Sequence, residues 1–219
     1  MINVDGIFPN LQILLAQKVD FVLDMDIKKN QNILKSLLSL DEFEQYLKLR
    51  SWQQTNYFIK RVLVKTLVGG LYPELNYTQI STANSKNEIS LPNQKNIYYS
   101  ISDSGDYILA CVWLKPIGID LERVGSRIKL LTAIALESEL EILTKLKIPK
   151  KLLTNLIWSI KESCMKIDTK IYPFINYCIF NHSPITNTFI VQRNDKRFQV
   201  YYTKINPNYL LTIAKHYES

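Results

Sequence analysis

The chain has 219 residues, of which 47% are hydrophobic and 21% charged, and its formal net charge is +7 at pH 7. This length and hydrophobic content exclude disorder as the main state and allow one large domain or two small ones with buried cores. The positive charge favours anionic partners in general, but composition alone does not choose among nucleic acid, an acidic protein and a nucleotide.

The cysteines and histidines form no recognisable disulfide or metal pattern. Cys111, Cys164 and Cys178 are odd in number, widely spaced and without a CxxC pair. We therefore expect them to be reduced and mostly buried. His182 and His216 lack a third histidine or a cysteine at ligand spacing, so we expect ordinary surface or packed histidines.

The N-terminal sequence and the hydropathy predict neither an export signal nor a membrane span. The first residues lack a basic segment, and the apolar run at residues 11–16 is too short for a signal peptide. No stretch reaches the roughly 18 apolar residues that a membrane helix requires. We therefore expect a cytoplasmic protein with no membrane partner.

Helical signals come first along the chain. Ser39 followed by Glu42 has the spacing of a capping box, and Gly69-Gly70 predicts a helix end. The apolar spacing between them predicts one long helix or two abutting helices. The segment 81–95, rich in Ser, Asn and Lys, predicts a surface loop.

Alternating polar and apolar residues then predict strands. Residues 97–102 and 107–113 are expected to pair as a hairpin around a turn at Ser104-Gly105-Asp106. A third short strand is expected at residues 117–122.

The second part of the chain repeats the order of helices followed by strands. The pattern is helical from about residue 130 to 147, and Pro149 predicts the start of a second helix that runs to about residue 167. Four short strands are then expected at residues 177–181, 188–192, 198–203 and 209–214. This order predicts a coarse internal duplication of architecture with a joint near residues 113–118.

Three acidic residues and a lysine form the candidate site. Asp120 and Glu122 share one face of a strand, because side chains at i and i+2 point the same way. Trp158, Glu162 and Lys166 are successive i+4 neighbours on one helical stripe, where an isolated Glu–Lys pair is usually just solvated. Close carboxylates repel each other, and a divalent cation relieves that repulsion. Three carboxylates beside an ammonium group could hold Mg²⁺ and leave coordination positions for two phosphates.

These residues lie in motifs that resemble those of the surfactin-synthetase-type 4'-phosphopantetheinyl transferases. The family's paired signatures are similar to GIDLE at residues 118–122 and to WSIKES at residues 158–163 with Lys166. The segment ISDSGDY at residues 101–107 resembles the family's Asn-Ile-Ser-His-Ser-Gly segment. The resemblance covers roughly residues 38–216, including the N-terminal helices and the closing strand.

The resemblance implies an α+β pseudo-dimer of two similar halves, residues 1–116 and 117–219. Each half would be a small antiparallel sheet packed with helices, with the active site and coenzyme A in the cleft between them. The implied reaction transfers 4'-phosphopantetheine from coenzyme A to a serine of an apo acyl or peptidyl carrier protein and releases adenosine 3',5'-bisphosphate. The implied cofactor is Mg²⁺, and we expect a monomer that does not bind nucleic acid.

The resemblance also implies roles for individual residues. Asp120, Glu122 and Glu162 would hold the Mg²⁺ that bridges the pyrophosphate of coenzyme A. Lys166 would contact that pyrophosphate, and Glu162 is the candidate base for the serine proton, directly or through water. The residues expected to contact coenzyme A are Lys86, Ser102, Asp103, Lys161 and Lys166.

Asp103 departs from the family pattern. Asp103 stands where the family has a histidine associated with the 3'-phosphate of coenzyme A, and an aspartate there would repel that phosphate. A Ser-Asp-Ser-Gly sequence is also ordinary hairpin-turn chemistry. Three outcomes remain open: an enzyme with weaker coenzyme A binding, an enzyme that favours another coenzyme form, and an impaired relative that binds a carrier protein or a nucleotide. The sequence does not specify a fatty-acid, polyketide or nonribosomal-peptide carrier.

Overall fold

The computed structural model describes residues 6–18, 31–83, 87–91, 96–125, 131–146, 148–168 and 172–218. It divides into two compact units. The N-terminal unit contains Asn10–Ile101 and Asp106–Lys115. The C-terminal unit contains Met1–Pro9, Ser102–Gly105 and Pro116–Ser219.

The helices of the N-terminal unit follow a first strand. The elements are β1 (Gln12–Gln17), α1 (Gln31–Leu37), α2 (Leu40–Lys48) and α3 (Ser51–Leu71). The predicted capping box is present, since the Glu42 carboxylate accepts the backbone N–H of Ser39 at 2.9 Å. Of the two predicted arrangements, two abutting helices is the one observed, because Leu49 and Arg50 adopt extended backbone between α2 and α3.

A four-stranded antiparallel sheet completes this unit. Its further strands are β2 (Glu88–Ser90), β3 (Asn96–Ser104) and β4 (Tyr107–Trp113), and the described strand order is β1-β4-β3-β2. The predicted hairpin is present, with Gly105 at φ 54° in its turn. Helix α3 packs on β1 and β4. The core between them includes Ile59, Leu63, Val64, Val68, Ile108 and Ala110.

The C-terminal unit repeats this order of elements. It contains β5 (Ile117–Arg123), α4 (Leu131–Ile134), α5 (Glu137–Thr144) and α6 (Lys150–Met165). The prediction of one helix over residues 130–147 is wrong in detail, because Leu136 adopts extended backbone and starts a new helix. Pro149 precedes α6 as its N-cap, one position earlier than a first-turn proline.

Five antiparallel strands form the sheet described in this unit. The remaining strands are β6 (Cys178–Ser183), β7 (Thr188–Arg193), β8 (Lys196–Asn206) and β9 (Tyr209–His216), and the order is β5-β9-β8-β7-β6. All four strands predicted after the helices are present. Helix α6 packs across β5 and β9. The core includes Leu156, Ile157, Ile160, Phe189, Val200 and Leu210.

The α+β class is confirmed, with two antiparallel sheets among the described residues. The division at residues 116/117 and the pairing of two halves about a cleft stay predictions. Within the ranges that the structure describes, no helix combines the length and apolarity needed to cross a bilayer.

A buried ion pair ties together the helices of the N-terminal unit. Glu42 lies in the first turn of α2, and its carboxylate is 2.6 Å from the ammonium of Lys65 on α3. Both side chains are fully buried. Glu42 also accepts the backbone N–H of Thr82, 40 residues downstream, at 2.8 Å. Lys65 donates a further bond to the carbonyl of Tyr77 at 2.8 Å.

The C-terminal unit contains a buried ion pair with the same arrangement. Glu139 lies in the first turn of α5 and accepts the N–H of Leu136 at 2.7 Å. Its carboxylate is 2.8 Å from the ammonium of Lys161 on α6, and both side chains are fully buried. Glu139 also accepts the N–H of Ile179, again 40 residues downstream, at 2.7 Å. Lys161 donates a further bond to the carbonyl of Ile134 at 2.7 Å.

Candidate metal centre

Strand β5 carries two acids on one face. Asp120 and Glu122 lie opposite Thr212 and Leu210 of β9, and they are 2% and 4% exposed. Burying two carboxylates side by side costs free energy unless donors or cations compensate them. The pair therefore indicates a site built for positive charge.

Helix α6 brings the third acid to the strand. A methyl group on Gly118 of β5 would overlap the carbonyl oxygen of Ser163 on α6, so only a glycine permits this close approach. Glu162, the neighbour of Ser163, then meets the acids of the strand. One oxygen from each carboxylate of Asp120, Glu122 and Glu162 lies within 4.8 Å of the others.

The two carboxylate oxygens of Asp120 differ in their hydrogen bonding. Ser102 donates its hydroxyl to Asp120 Oδ1 at 2.8 Å and accepts the N–H of Leu121 at 3.1 Å. Lys166 Nζ is 3.1 Å from the same Oδ1. Asp120 Oδ2 is buried and finds no hydrogen-bond partner among the residues that the structure describes. A buried carboxylate oxygen without a donor is a ready ligand for a cation.

Lys166 supplies positive charge beside the acids. Its ammonium donates to the carbonyl of Ile119 at 2.8 Å and lies 3.3 Å from Glu162 Oε1. Burial works against its charged form, but the carboxylates of Asp120 and Glu162 outweigh burial and raise the pKa of Lys166. The ammonium therefore stays protonated at neutral pH.

Glu162 is the most accessible of the three acids, with 29% of its side chain exposed. Its Oε2 accepts the indole N–H of Trp158 at 2.6 Å. The Trp158 ring stacks on Phe174, with ring centroids 4.4 Å apart. Helical i+4 spacing explains why the indole and the carboxylate meet.

This set of residues fits a hard divalent cation. Its ligands would be carboxylate oxygens, which Mg²⁺ prefers, and they converge from a rigid strand and a packed helix. The buried oxygen of Asp120 lacks the partner that such an ion would provide. The acids predicted to bind metal are thus brought together with Lys166.

Lys161 does not join this cluster. Its ammonium is fully buried against Glu139 and the carbonyl of Ile134. A helix turns by about 100° per residue, so Lys161 and Glu162 face different sides of α6. Its assignment to coenzyme binding stays a prediction that these contacts do not support.

The other predicted coenzyme contacts fall into three cases. The hydroxyl of Ser102 is buried and engaged with Asp120 and β5. Asp103 is exposed, between Ser102 and Ser104, whose hydroxyls both accept backbone N–H groups of β5. Lys86 lies outside the residues that the structure describes.

Sequence reasoning did not find two groups that support the centre. Thr212 donates to the carbonyl of Ser159 at 2.8 Å, and the two hydroxyls lie 2.8 Å apart, which fastens α6 to β9. The signal available in the sequence was a hydroxyl residue, Ser159 or Thr212, inside each of two mainly apolar segments. Asp168, just after Lys166, accepts two bonds from Arg193 at 2.9 and 3.0 Å and one from Tyr177 at 2.7 Å. Nothing local in the sequence predicts these distant partners.

Comparison with protein families gives a match over the part of the chain that carries the candidate centre. Residues 116–214 match the family model of the 4'-phosphopantetheinyl transferase superfamily. The matched segment contains β5 and α6 and therefore all three acids and Lys166. No curated protein matches the chain.

Proposed function

We propose that this protein is a magnesium-dependent 4'-phosphopantetheinyl transferase of the surfactin-synthetase type. It would transfer 4'-phosphopantetheine from coenzyme A to a serine of an apo acyl or peptidyl carrier protein. The observation that carries the proposal is the convergence of three carboxylates, one with a buried and unpaired oxygen, beside an ammonium group. The superfamily match over residues 116–214 supports the type of transfer.

The proposed roles follow from the position of each group. Asp120, Glu122 and Glu162 would hold Mg²⁺. When bound, Mg²⁺ neutralises charge on the two phosphates of the coenzyme and polarises the phosphorus for attack. Lys166 places a permanent positive charge beside the same acids, where it can stabilise negative charge on the leaving phosphate.

The proposed reaction needs one proton transfer and no covalent enzyme intermediate. The serine hydroxyl oxygen bonds to the phosphorus that carries pantetheine, and the bond from that phosphorus to the bridging oxygen breaks. The electron pair leaves with adenosine 3',5'-bisphosphate. The serine proton passes to Glu162, directly or through water, because Glu162 is the accessible carboxylate of the three.

The two units give separate support for a two-half enzyme. In each, a glutamate in the first turn of a helix pairs with a buried lysine of a later helix and accepts an N–H from 40 residues downstream. In each, the first strand also pairs with the last, β1 with β4 and β5 with β9. We take this as the trace of an internal duplication. A monomeric state and a cytoplasmic location stay predictions.

Mass spectrometry of carrier proteins tests the proposal. Purified protein, Mg²⁺ and coenzyme A are incubated with a panel of apo fatty-acid, polyketide and peptidyl carrier domains. We expect at least one carrier to gain the mass of phosphopantetheine. Asp120→Asn and Glu162→Gln should each abolish the product, because they remove a ligand charge at constant shape.

Two further variants complete the test. Glu141→Gln, an exposed acid on α5, is the matched control and should keep full activity. No product with any carrier would contradict the proposal, and full activity of Glu162→Gln would contradict the metal and base assignments.

A second candidate is a relative that binds without turnover. It is motivated by Asp103, whose exposed carboxylate would repel the 3'-phosphate of coenzyme A. Calorimetry with coenzyme A and Mg²⁺ discriminates between the two. Tight carrier binding without coenzyme A binding favours this second candidate. Stronger binding of a coenzyme without the 3'-phosphate favours an enzyme with altered coenzyme preference.

A further inference from the structure

Trp158 makes a direct contact with the candidate centre that its residue type alone does not suggest. Its indole nitrogen is 2.6 Å from Glu162 Oε2, which is short for a bond to a carboxylate. The indole is also fixed from the side, because it stacks on Phe174 with an interplanar angle of 28°. A ring that served only to fill the core would not need an N–H group that donates to a carboxylate.

This hydrogen bond gives the two carboxylate oxygens of Glu162 different partners. Oε2 accepts the indole N–H, and Oε1 lies 3.3 Å from Lys166 Nζ, which is itself 3.1 Å from Asp120 Oδ1. Glu162 therefore presents a single oxygen to the centre in a fixed orientation.

Glu162 is the acid that most needs such a support. Asp120 is held on a buried strand by Ser102 and Lys166, and Glu122 is 4% exposed on the same strand. Glu162 has a longer side chain and is 29% exposed, so it has more rotamer freedom to lose on binding an ion.

We propose that Trp158 is a positioning residue that holds Glu162 as a one-oxygen metal ligand. This inference rests on the metal centre of the proposed function. Hydrogen-bond partners of metal ligands typically change metal affinity by about 10- to 100-fold when they are removed. Without the indole N–H, the Glu162 carboxylate is free to swing toward solvent, and a divalent ion would bind more weakly.

Binding of Mn²⁺ to the full chain, followed by electron paramagnetic resonance, tests this inference without an activity assay. Trp158→Phe keeps a ring against Phe174 and removes the donor. We expect it to weaken Mn²⁺ binding by about tenfold. Trp52→Phe, at a 67% exposed position, is the matched control and should bind as the unaltered protein does.

A second replacement separates the hydrogen bond from the ring's shape. Incorporation of benzothienylalanine at position 158 keeps the bicyclic ring and replaces only the N–H by sulfur, so it should weaken Mn²⁺ binding to the same degree even if Trp158→Phe folds poorly. Affinity within twofold of the unaltered protein for benzothienylalanine overturns the positioning role and leaves the proposed function standing. Absence of Mn²⁺ binding by the unaltered protein overturns both.

Discussion

At the scale of single residues, the missing side chain of Gly118 sets the distance between the two elements that carry the acids. The backbone of α6 lies so close to β5 that a β-carbon at position 118 would collide with a carbonyl oxygen rather than with a movable side chain. A backbone atom in a packed helix cannot yield cheaply. Any side chain at this position must therefore push α6 away from the strand.

We expect Gly118→Ala to lower the free energy of unfolding by about 1–3 kcal/mol, as overpacking does, and to weaken Mn²⁺ binding. Gly70→Ala in α3 is the control, since outside the helix's own backbone no described atom lies within 4 Å of the added methyl group. It should raise stability by about 0.5–1 kcal/mol through helix propensity. Urea titrations of both variants measure the difference, and equal midpoints would show that the contact is not tight.

Each of the two acidic segments could be predicted from local periods, and the meeting of the two segments was expected from the family resemblance. Asp120 and Glu122 share a face by strand alternation, and Glu162 and Lys166 by the helical repeat. The contacts of Lys161 could not be predicted in the same way. They depend on a glutamate of another helix, and the spacing of residues within α6 carries no information about that partner.

At the scale of elements, each unit fastens its helices with one buried glutamate that satisfies several donors at once. The Glu139 carboxylate accepts the N–H that precedes α5, pairs with the ammonium of Lys161 and accepts the N–H of Ile179 in β6. In the N-terminal unit the Glu42 carboxylate likewise accepts the N–H of Ser39, pairs with the ammonium of Lys65 and accepts the N–H of Thr82. Removing a partner from such a network costs more than the network itself contributes, because the remaining charge stays buried.

We expect Glu139→Gln to lower the free energy of unfolding by about 3–5 kcal/mol, since Lys161 loses its counter-charge in the core. Glu42→Gln should act in the same direction through Lys65. Glu137→Gln, an exposed neighbour on α5, should change stability by no more than about 0.5 kcal/mol. Chemical denaturation measures all three. A Glu139→Gln variant as stable as Glu137→Gln would mean that the lysine finds another partner or loses its proton.

Two described strands are not revealed by the sequence. β1 pairs with β4, far along the chain, whereas β2 has only three residues, which pair with the next strand, β3. Their own residues carry no clear alternation, and tertiary pairing decides their state. The long, periodic α3 and α6 were predicted because their apolar stripes carry the signal internally.

At the scale of the whole molecule, acid should unfold the protein through two buried networks. Burial raises the pKa of Glu42, but bonds from Lys65 and Thr82 outweigh it, so the net pKa is lowered. Burial likewise raises the pKa of Asp168, but bonds from Tyr177 and the cations Lys196 and Arg193 outweigh it and lower the net pKa. A carboxyl with a lowered folded pKa stabilises the fold above its unfolded value and loses that contribution as pH falls.

We therefore expect the urea midpoint to hold down to about pH 5 and to fall steeply below about pH 4 as these carboxylates take up protons. Asp168→Asn should be less stable at neutral pH and should show a shallower fall in acid. Unfolding curves between pH 7 and 3 check this. Equal midpoints at the two ends of that range would contradict the assignment of these networks.

The α+β class was expected from the family resemblance, and the order of elements, helices followed by strands twice over, agreed with that expectation. The exact composition of the units did not follow. The short segment Ser102–Gly105 belongs to the C-terminal unit although the chain on both sides of it belongs to the other. The unit to which such a segment belongs is decided by its contacts with residues distant in the sequence, which local patterns do not show.

The hydroxyls of Ser102 and Ser104 have a consequence for association between molecules. Among the described strands β5 is the last on its side of its sheet, and an edge strand can pair with another chain and then aggregate. Two of its N–H groups, at Leu121 and Arg123, are already occupied by these hydroxyls. A second copy cannot extend the sheet there without displacing them. The segment that steadies Asp120 thus also helps to keep the protein from self-association along this edge.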